Sequence, residues 1–144
     1  MEIMTRKFGK IKIDETKTIT MPGGLAGFPG FEKFVLLEDE KIAPFSWFQS
    51  IEEPDLALVI MNPLLFKPDY RVAGLADFIV SCGWKDTSLS DLLTYVVVNI
   101  SEEEGEQKIT ANLMGPLIIN TKNNEVVQVV ISDSNYSHQY NILQ

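Results

Sequence analysis

With 144 residues, 45% of them apolar and 22% charged, the chain is long enough to bury a real core and too apolar to stay disordered. Its 20 Asp and Glu against 12 Lys and Arg leave a net charge of −8, which works against a basic groove for nucleic acid and favours basic protein partners. Cys82 is the only cysteine, so no intramolecular disulfide forms; MEIMTRKFGKIKI lacks the apolar core of a signal peptide, and no apolar run approaches the roughly 20 residues that span a bilayer. A cytosolic protein of one domain, residues 1–144, without membrane contact is the expectation.

Taken in order, Phe8, Ile11 and Ile13 alternate with polar residues, and Ile19 and Met21 follow, which predicts strands over 5–13 and 17–21. MPGGLAGFPGF, residues 21–31, holds four Gly and two Pro and reads as a loop. In it Gly27 and Gly30 supply positive φ, and Phe28 and Phe31 anchor the loop in the core. Strands resume at 34–37, 45–49 and 56–61, and Asn62-Pro63 stops the last of them. Residues 66–70 read as a loop or short helical turn, and 75–82 as another strand. A helix is predicted over 86–93, capped by Ser88 with Asp91 completing an imperfect capping box. Strands at 95–100 and 108–113 flank the acidic turn SEEEGE, and strands at 117–120 and 126–132 flank TKNNE, giving two hairpins. From Asp133 the chain is polar, and 135–144 reads as a loosely held tail. Eight or more short strands with at most one or two short helices make the fold all-β. The expected form is a small barrel-like antiparallel or mixed sheet, folded over so that its strand edges are protected.

The chain has little to offer catalysis. His138, the only histidine, lies in the polar tail and reads as a surface residue rather than a proton shuttle. Cys82, inside the apolar FIVSCGW, reads as a buried structural thiol. No Cys and His spacing suits zinc, and Glu102, Glu103, Glu104 and Glu106 lack the alternating oxygen ligands of a calcium loop. They read as a solvated hairpin tip. GGLAGFPG has neither the lysine and hydroxyl of a phosphate-binding loop nor a helix after it. Phe28, Phe31, Phe34, Phe45, Trp47 and Phe48 have the ring content of a base-stacking platform, but the neighbouring IEEPD has the wrong charge and core packing accounts for the rings better. A non-enzyme without cofactor or metal is expected.

FGKIKI, GLAGFPGFEKFVLLE, PFSWFQSIEEPDLALVIMNP, FKPDY, ITANLMGPLIIN and VVQVVI follow one another across residues 8–131. In order and spacing these blocks resemble the FliW family of flagellar assembly factors. The resemblance implies a β-barrel-like cytoplasmic protein with two alternative protein partners. One is flagellin, bound before export; the other is CsrA, the dimeric RNA-binding repressor of flagellin translation. It further implies that the protein, once released from flagellin, binds CsrA away from its RNA face and frees the flagellin message for translation, without touching RNA itself. A flagellin-binding chaperone that leaves CsrA alone is the nearest alternative. A small-ligand enzyme on a β-barrel and a direct RNA-binding barrel are more distant ones.

Within those blocks the candidates for partner contact are Gln49, Glu52, Glu53, Asp55, Asp69, Tyr70 and Asn112. Glu52, Glu53 and Asp55, together with the 102–106 turn, either repel phosphate over a Debye length of roughly 8 Å or form only a solvated surface. Gln49 and Asn112 either satisfy backbone groups at strand corners or meet a partner. Tyr70, beside Asp69 in a loop, is the leading contact candidate because tyrosine is favoured at binding hot spots. A monomer is expected, with a homodimer through an exposed edge strand as the alternative.

Overall fold

The computed structural model describes residues 1–24, 30–131 and 136–142. The first residues form a hairpin of their own, β1 (Glu2–Thr5) and β2 (Gly9–Lys12), paired antiparallel with Met4 opposite Lys10. The single strand expected over 5–13 is therefore broken by a turn, and Thr5 is the cause. Its Oγ1 accepts from the Phe8 N–H at 2.9 Å and donates to the Gly9 carbonyl at 2.9 Å, while Gly9 takes a φ of 68°.

A second, nine-stranded sheet comprises β3 (Ile19–Thr20), β4 (Lys33–Glu38), β5 (Ser46–Ser50), β6 (Ala57–Met61), β7 (Leu92–Glu103), β8 (Glu106–Ala111), β9 (Leu117–Asn120), β10 (Glu125–Gln128) and β11 (Tyr140–Asn141). It is mixed, since β3 and β10 run parallel while the other neighbours are antiparallel. It also closes. The long strand β7 pairs with β9 at 92–95, with β6 at 96–98 and with β8 at 98–103. Strands β3, β4, β5, β6, β7, β9 and β10 thus complete a ring of hydrogen bonds, and β8 and β11 continue outside it. The barrel-like, mainly β expectation holds.

Inside the ring Phe34 and Phe48, both wholly buried on adjacent strands, stack with centroids 4.5 Å apart, and Ile60, Leu117 and Val126 complete the layer. Such a ring pair adds about 0.5–1.5 kcal/mol beyond the area it buries. Phe31 packs against this cluster as expected. Gly30 does not take positive φ; Gly23 and Gly24 do, at 81° and 77°. The expectations placed on Gly27 and Phe28 fall outside the described residues. A second cluster, around Val96, Val98, Leu113 and Tyr70, fills the angle where β8 leaves the ring.

Two further readings change. Residues 75–82 are not a strand but the one α-helix among the described residues, α1 (Leu75–Ser81). Leu75, Phe78, Ile79 and Cys82 face the protein at helical spacing, while Ala76, Asp77, Val80 and Ser81 are exposed. Gly83 ends it with a φ of 72°; its N–H bonds to the Val80 carbonyl and the Trp84 N–H to that of Ile79, the paired bonds of a Schellman motif. The helix expected over 86–93 is only a 3-10 turn, Leu89–Asp91, in which the Asp91 carboxylate accepts the Ser88 N–H at 2.9 Å. The chain then enters β7, because Leu92 and Leu93 pair with Asn120 and Ile119.

The C-terminal tail is likewise more than loosely held. Over 136–142 it lies along β8: Tyr140 pairs with Ala111, the Leu113 N–H bonds to the Ser137 carbonyl, and the Ile142 N–H bonds to that of Ile109. Tyr136 and Tyr140 supply the apolar area that a reading based on polarity overlooked.

Candidate partner-binding surface

The loop joining β5 to β6 is held from beneath by Gln49, which is wholly buried. Its Nε2 faces the carbonyls of Ser50, Leu56 and Pro54 at 3.0, 3.2 and 3.3 Å, so one amide gathers the loop. Among the described residues its Oε1 is the one buried side-chain polar atom with no hydrogen-bond partner. Ser50 Oγ accepts from the N–H groups of Glu52 and Glu53 at 3.2 and 3.0 Å, fixing the bend.

The three acids of this loop have separate roles. Glu52 Oε1 accepts the backbone N–H groups of Glu32 and Lys33 at 2.9 and 3.0 Å, so its carboxylate braces the entry to β4. Glu53 is half-buried. Asp55 is exposed and lines a cleft of about 520 Å³ whose other walls are Arg6, Lys7, Pro54 and Ala57. Two cations therefore face the one freely exposed acid of the cluster.

The 102–106 turn is different. Beyond Val98 the β7–β8 hairpin leaves the ring, and the carboxylates at its tip are exposed. Glu104 and Gly105 take φ of 53° and 81°, the left-handed pair a tight hairpin needs. Among the described residues only Glu103 has an ion pair, with Lys108 at 3.6 Å, and Glu102, Glu104 and Glu106 have none. Ile100 beside them is exposed.

Asp69 and Tyr70, neighbours in sequence, point to different surroundings. Asp69 is exposed and pairs with Lys67 at 3.2 Å. Tyr70 is buried, with its hydroxyl donating to the Leu113 carbonyl at 2.7 Å and its ring 4.9 Å from that of Tyr136. Burial pushes its phenol well above the usual tyrosine range, and the neighbouring Tyr136 adds to the shift. Asn112 Oδ1 accepts the Met114 N–H at 3.0 Å, forming a bend closed by Gly115, where a Cβ would come within 3.0 Å of Gln128 Nε2. Gln49, Glu52, Tyr70 and Asn112 thus each hold backbone in place, whereas Asp55 and Asp69 are open to solvent.

Among the described residues no group of three or more His, Cys, Asp or Glu is placed to hold a metal ion, and no helix is long and apolar enough to cross a membrane. Cys82, which caps the C-terminal end of α1, is half-buried; burial, then the Glu125 charge, pushes its thiol up. One surface escaped the sequence reading. Arg6, Lys7, Lys10 and Lys12 all lie on the β1–β2 hairpin, against Glu2 alone. Charge counted along the chain rather than in total would have found it.

The fold is also that of a flagellar assembly factor of known structure. The crystal structure titled as that of the flagellar assembly factor FliW matches with a TM-score of 0.86, covering 100% of this chain and 98% of that one at 26% identity. The family model described as FliW protein matches residues 2–142. Flagellar assembly factor FliW of Alkaliphilus metalliredigens is 37% identical over 100% of this chain and 87% of its own, and that of Treponema denticola is 37% identical over 99% and 94%. The chain belongs to the FliW family, a family of non-enzymatic flagellar assembly factors.

Proposed function

We propose that this chain works in the cytoplasm through two protein partners, flagellin and the translational repressor CsrA, and that binding CsrA keeps it from the flagellin message. Family membership supports flagellar partners. The observation that carries the CsrA half is the acidic ribbon at 102–106, where exposed carboxylates stand clear of the ring with one lysine among them. Docked beside an RNA-binding protein, those charges repel phosphate over roughly 8 Å. Asp55 adds little to that field because Arg6 and Lys7 share its cleft, and Glu52 is committed to backbone.

A gel shift with flagellin leader RNA and CsrA tests this. The unaltered chain should release CsrA from RNA and retard no RNA by itself. Glu102→Gln, Glu104→Gln and Glu106→Gln together should leave CsrA binding in place and weaken the release about threefold to tenfold, the size expected for three partly screened charges. An undiminished release removes the ribbon from the mechanism. Failure to bind CsrA at all removes the regulatory half and leaves a flagellin chaperone.

A further inference from the structure

The β1–β2 hairpin is opposite in charge to the rest of the molecule. Residues 1–12 carry four cations and one carboxylate, +3 within a chain of −8, so the remainder carries −11. Lys10 pairs with Glu2 at 2.9 Å, and among the described residues Arg6, Lys7 and Lys12 have no ion pair. Among these cations Met4 is 54% and Phe8 37% exposed, so the basic surface has apolar points within it. Ile3 and Thr5 turn inward and anchor the hairpin, and the Arg6 N–H bonds to the Pro54 carbonyl at 3.0 Å, holding it against the β5–β6 loop. Beside this junction lies the cleft of about 520 Å³ between Arg6, Lys7 and the 54–57 segment. Among the described residues neither β1 nor β2 has a second strand neighbour.

We propose that this hairpin and its cleft are a docking surface for a short, acidic, extended segment of a protein partner that carries an apolar side chain. Charge complementarity selects the acid; Met4 and Phe8 supply the apolar contact; the unpaired strand edges suit an extended backbone. Single-stranded nucleic acid fits less well. The Lys7 ammonium lies 5.1 Å from the Trp47 ring centroid and Phe8 meets that ring edge-on at 6.1 Å, so the indole is already engaged rather than open to a base. A long polyphosphate would also extend over the acidic remainder, whereas a short segment meets only the hairpin. This surface is distinct from the acidic ribbon and does not depend on the reading given to it.

The test is an amide NMR titration of the full chain at physiological salt. Probes are the peptide acetyl-Glu-Phe-Glu-Leu-Glu-amide, its Gln-for-Glu analogue and a short oligouridylate. The acidic peptide should shift amides of residues 2–12 and 55–57 and leave the rest of the ring unmoved. Lys7→Glu with Lys12→Glu should weaken it about tenfold, as loss and reversal of two exposed pairings would. If that variant disturbs the hairpin, Lys7→Gln with Lys12→Gln is used and should weaken it severalfold. Met4→Ser should lower affinity for the acidic peptide at unchanged charge. Equal binding of the Gln analogue, tighter binding of oligouridylate, or shifts centred elsewhere would each overturn the proposal. So would concentration-dependent shifts at 2–12 in the chain alone, which would make the occupant a second copy's acidic ribbon.

Discussion

Gln49 and Tyr70 do comparable work, each fixing a loop through a single buried polar group. Replacing Gln49 by Leu keeps most of the volume but strips the donor shared by the carbonyls of Ser50, Pro54 and Leu56. We expect a loss of about 2–3 kcal/mol in urea unfolding, since buried acceptors left without donors cost about 1–3 kcal/mol. For Tyr70→Phe the stranded acceptor is the buried Leu113 carbonyl, and about 1–2 kcal/mol is expected at neutral pH. This substitution also has a pH signature. Burial raises the folded-state pKa of Tyr70, so between about pH 10 and that raised value the unfolded chain has lost a proton that the folded chain keeps. The stabilisation is complete below about pH 10 and is lost as pH rises further. Melting temperature against pH should therefore fall less steeply above about pH 10 in Tyr70→Phe. Some slope should persist, because Tyr95 is raised in the same direction by its own burial and by Glu38. An unchanged slope would mean that Tyr70 does not titrate from a buried state. Residue type alone picked out Gln49, Glu52, Tyr70 and Asn112 as special. For Tyr70 and Glu52 the backbone contact was not legible because it comes from afar: Leu113 lies 43 residues beyond Tyr70, and Glu32 lies 20 before Glu52. Gln49 and Asn112 bond within seven residues, but only the folded bends bring those backbone groups round to the side chains.

Among the elements, α1 shows why an apolar run is ambiguous. FIVSC has the β-branched content of a strand, yet Leu75, Phe78, Ile79 and Cys82 repeat at i, i+3, i+4 and i+7, and Gly74 and Gly83 bracket the segment. The spacing and the glycines were both legible in the sequence, and at this position period outranks β-branched content. The hairpin at 98–111 was readable because SEEEGE combines a turn-forming Gly with alternating flanks, whereas the Thr5 turn rests on a hydroxyl that no apolar pattern reports. Gly83 offers the check. Its Cβ position is open space, so only the φ of 72° resists substitution. Gly83→Ala should cost about 1–2 kcal/mol, and Gly83→Asn distinctly less, because asparagine tolerates the left-handed region. Equal costs in thermal unfolding would point to a packing role for this glycine instead.

At the scale of the whole molecule, closure of the sheet divides β7 into two regimes. Over 92–98 it pairs with the ring strands β9 and then β6; from Asn99 to Glu103 its one strand partner among the described residues is β8, which the C-terminal segment covers as far as Ile109. The ring contains the stacked Phe34 and Phe48 and the buried Ile60, while the ribbon beyond it ends in solvated carboxylates. Opening the ring must expose that core, whereas the ribbon can fray alone. Hydrogen exchange should therefore separate them: amides of β4, β5, β6 and residues 96–98 should exchange only through global unfolding. Hydrogen-bonded amides of residues 101–108 should exchange at least about a hundredfold faster, a gap of roughly 3 kcal/mol. Ile60→Ala, which empties space inside the ring at a cost of about 2–5 kcal/mol, should accelerate the ring amides by its full effect and leave the ribbon nearly unchanged. If the ribbon slowed and quickened together with the ring, the two would be one cooperative unit, and the carboxylates at 102–106 would be presented by a rigid arm rather than by one that opens independently of the core.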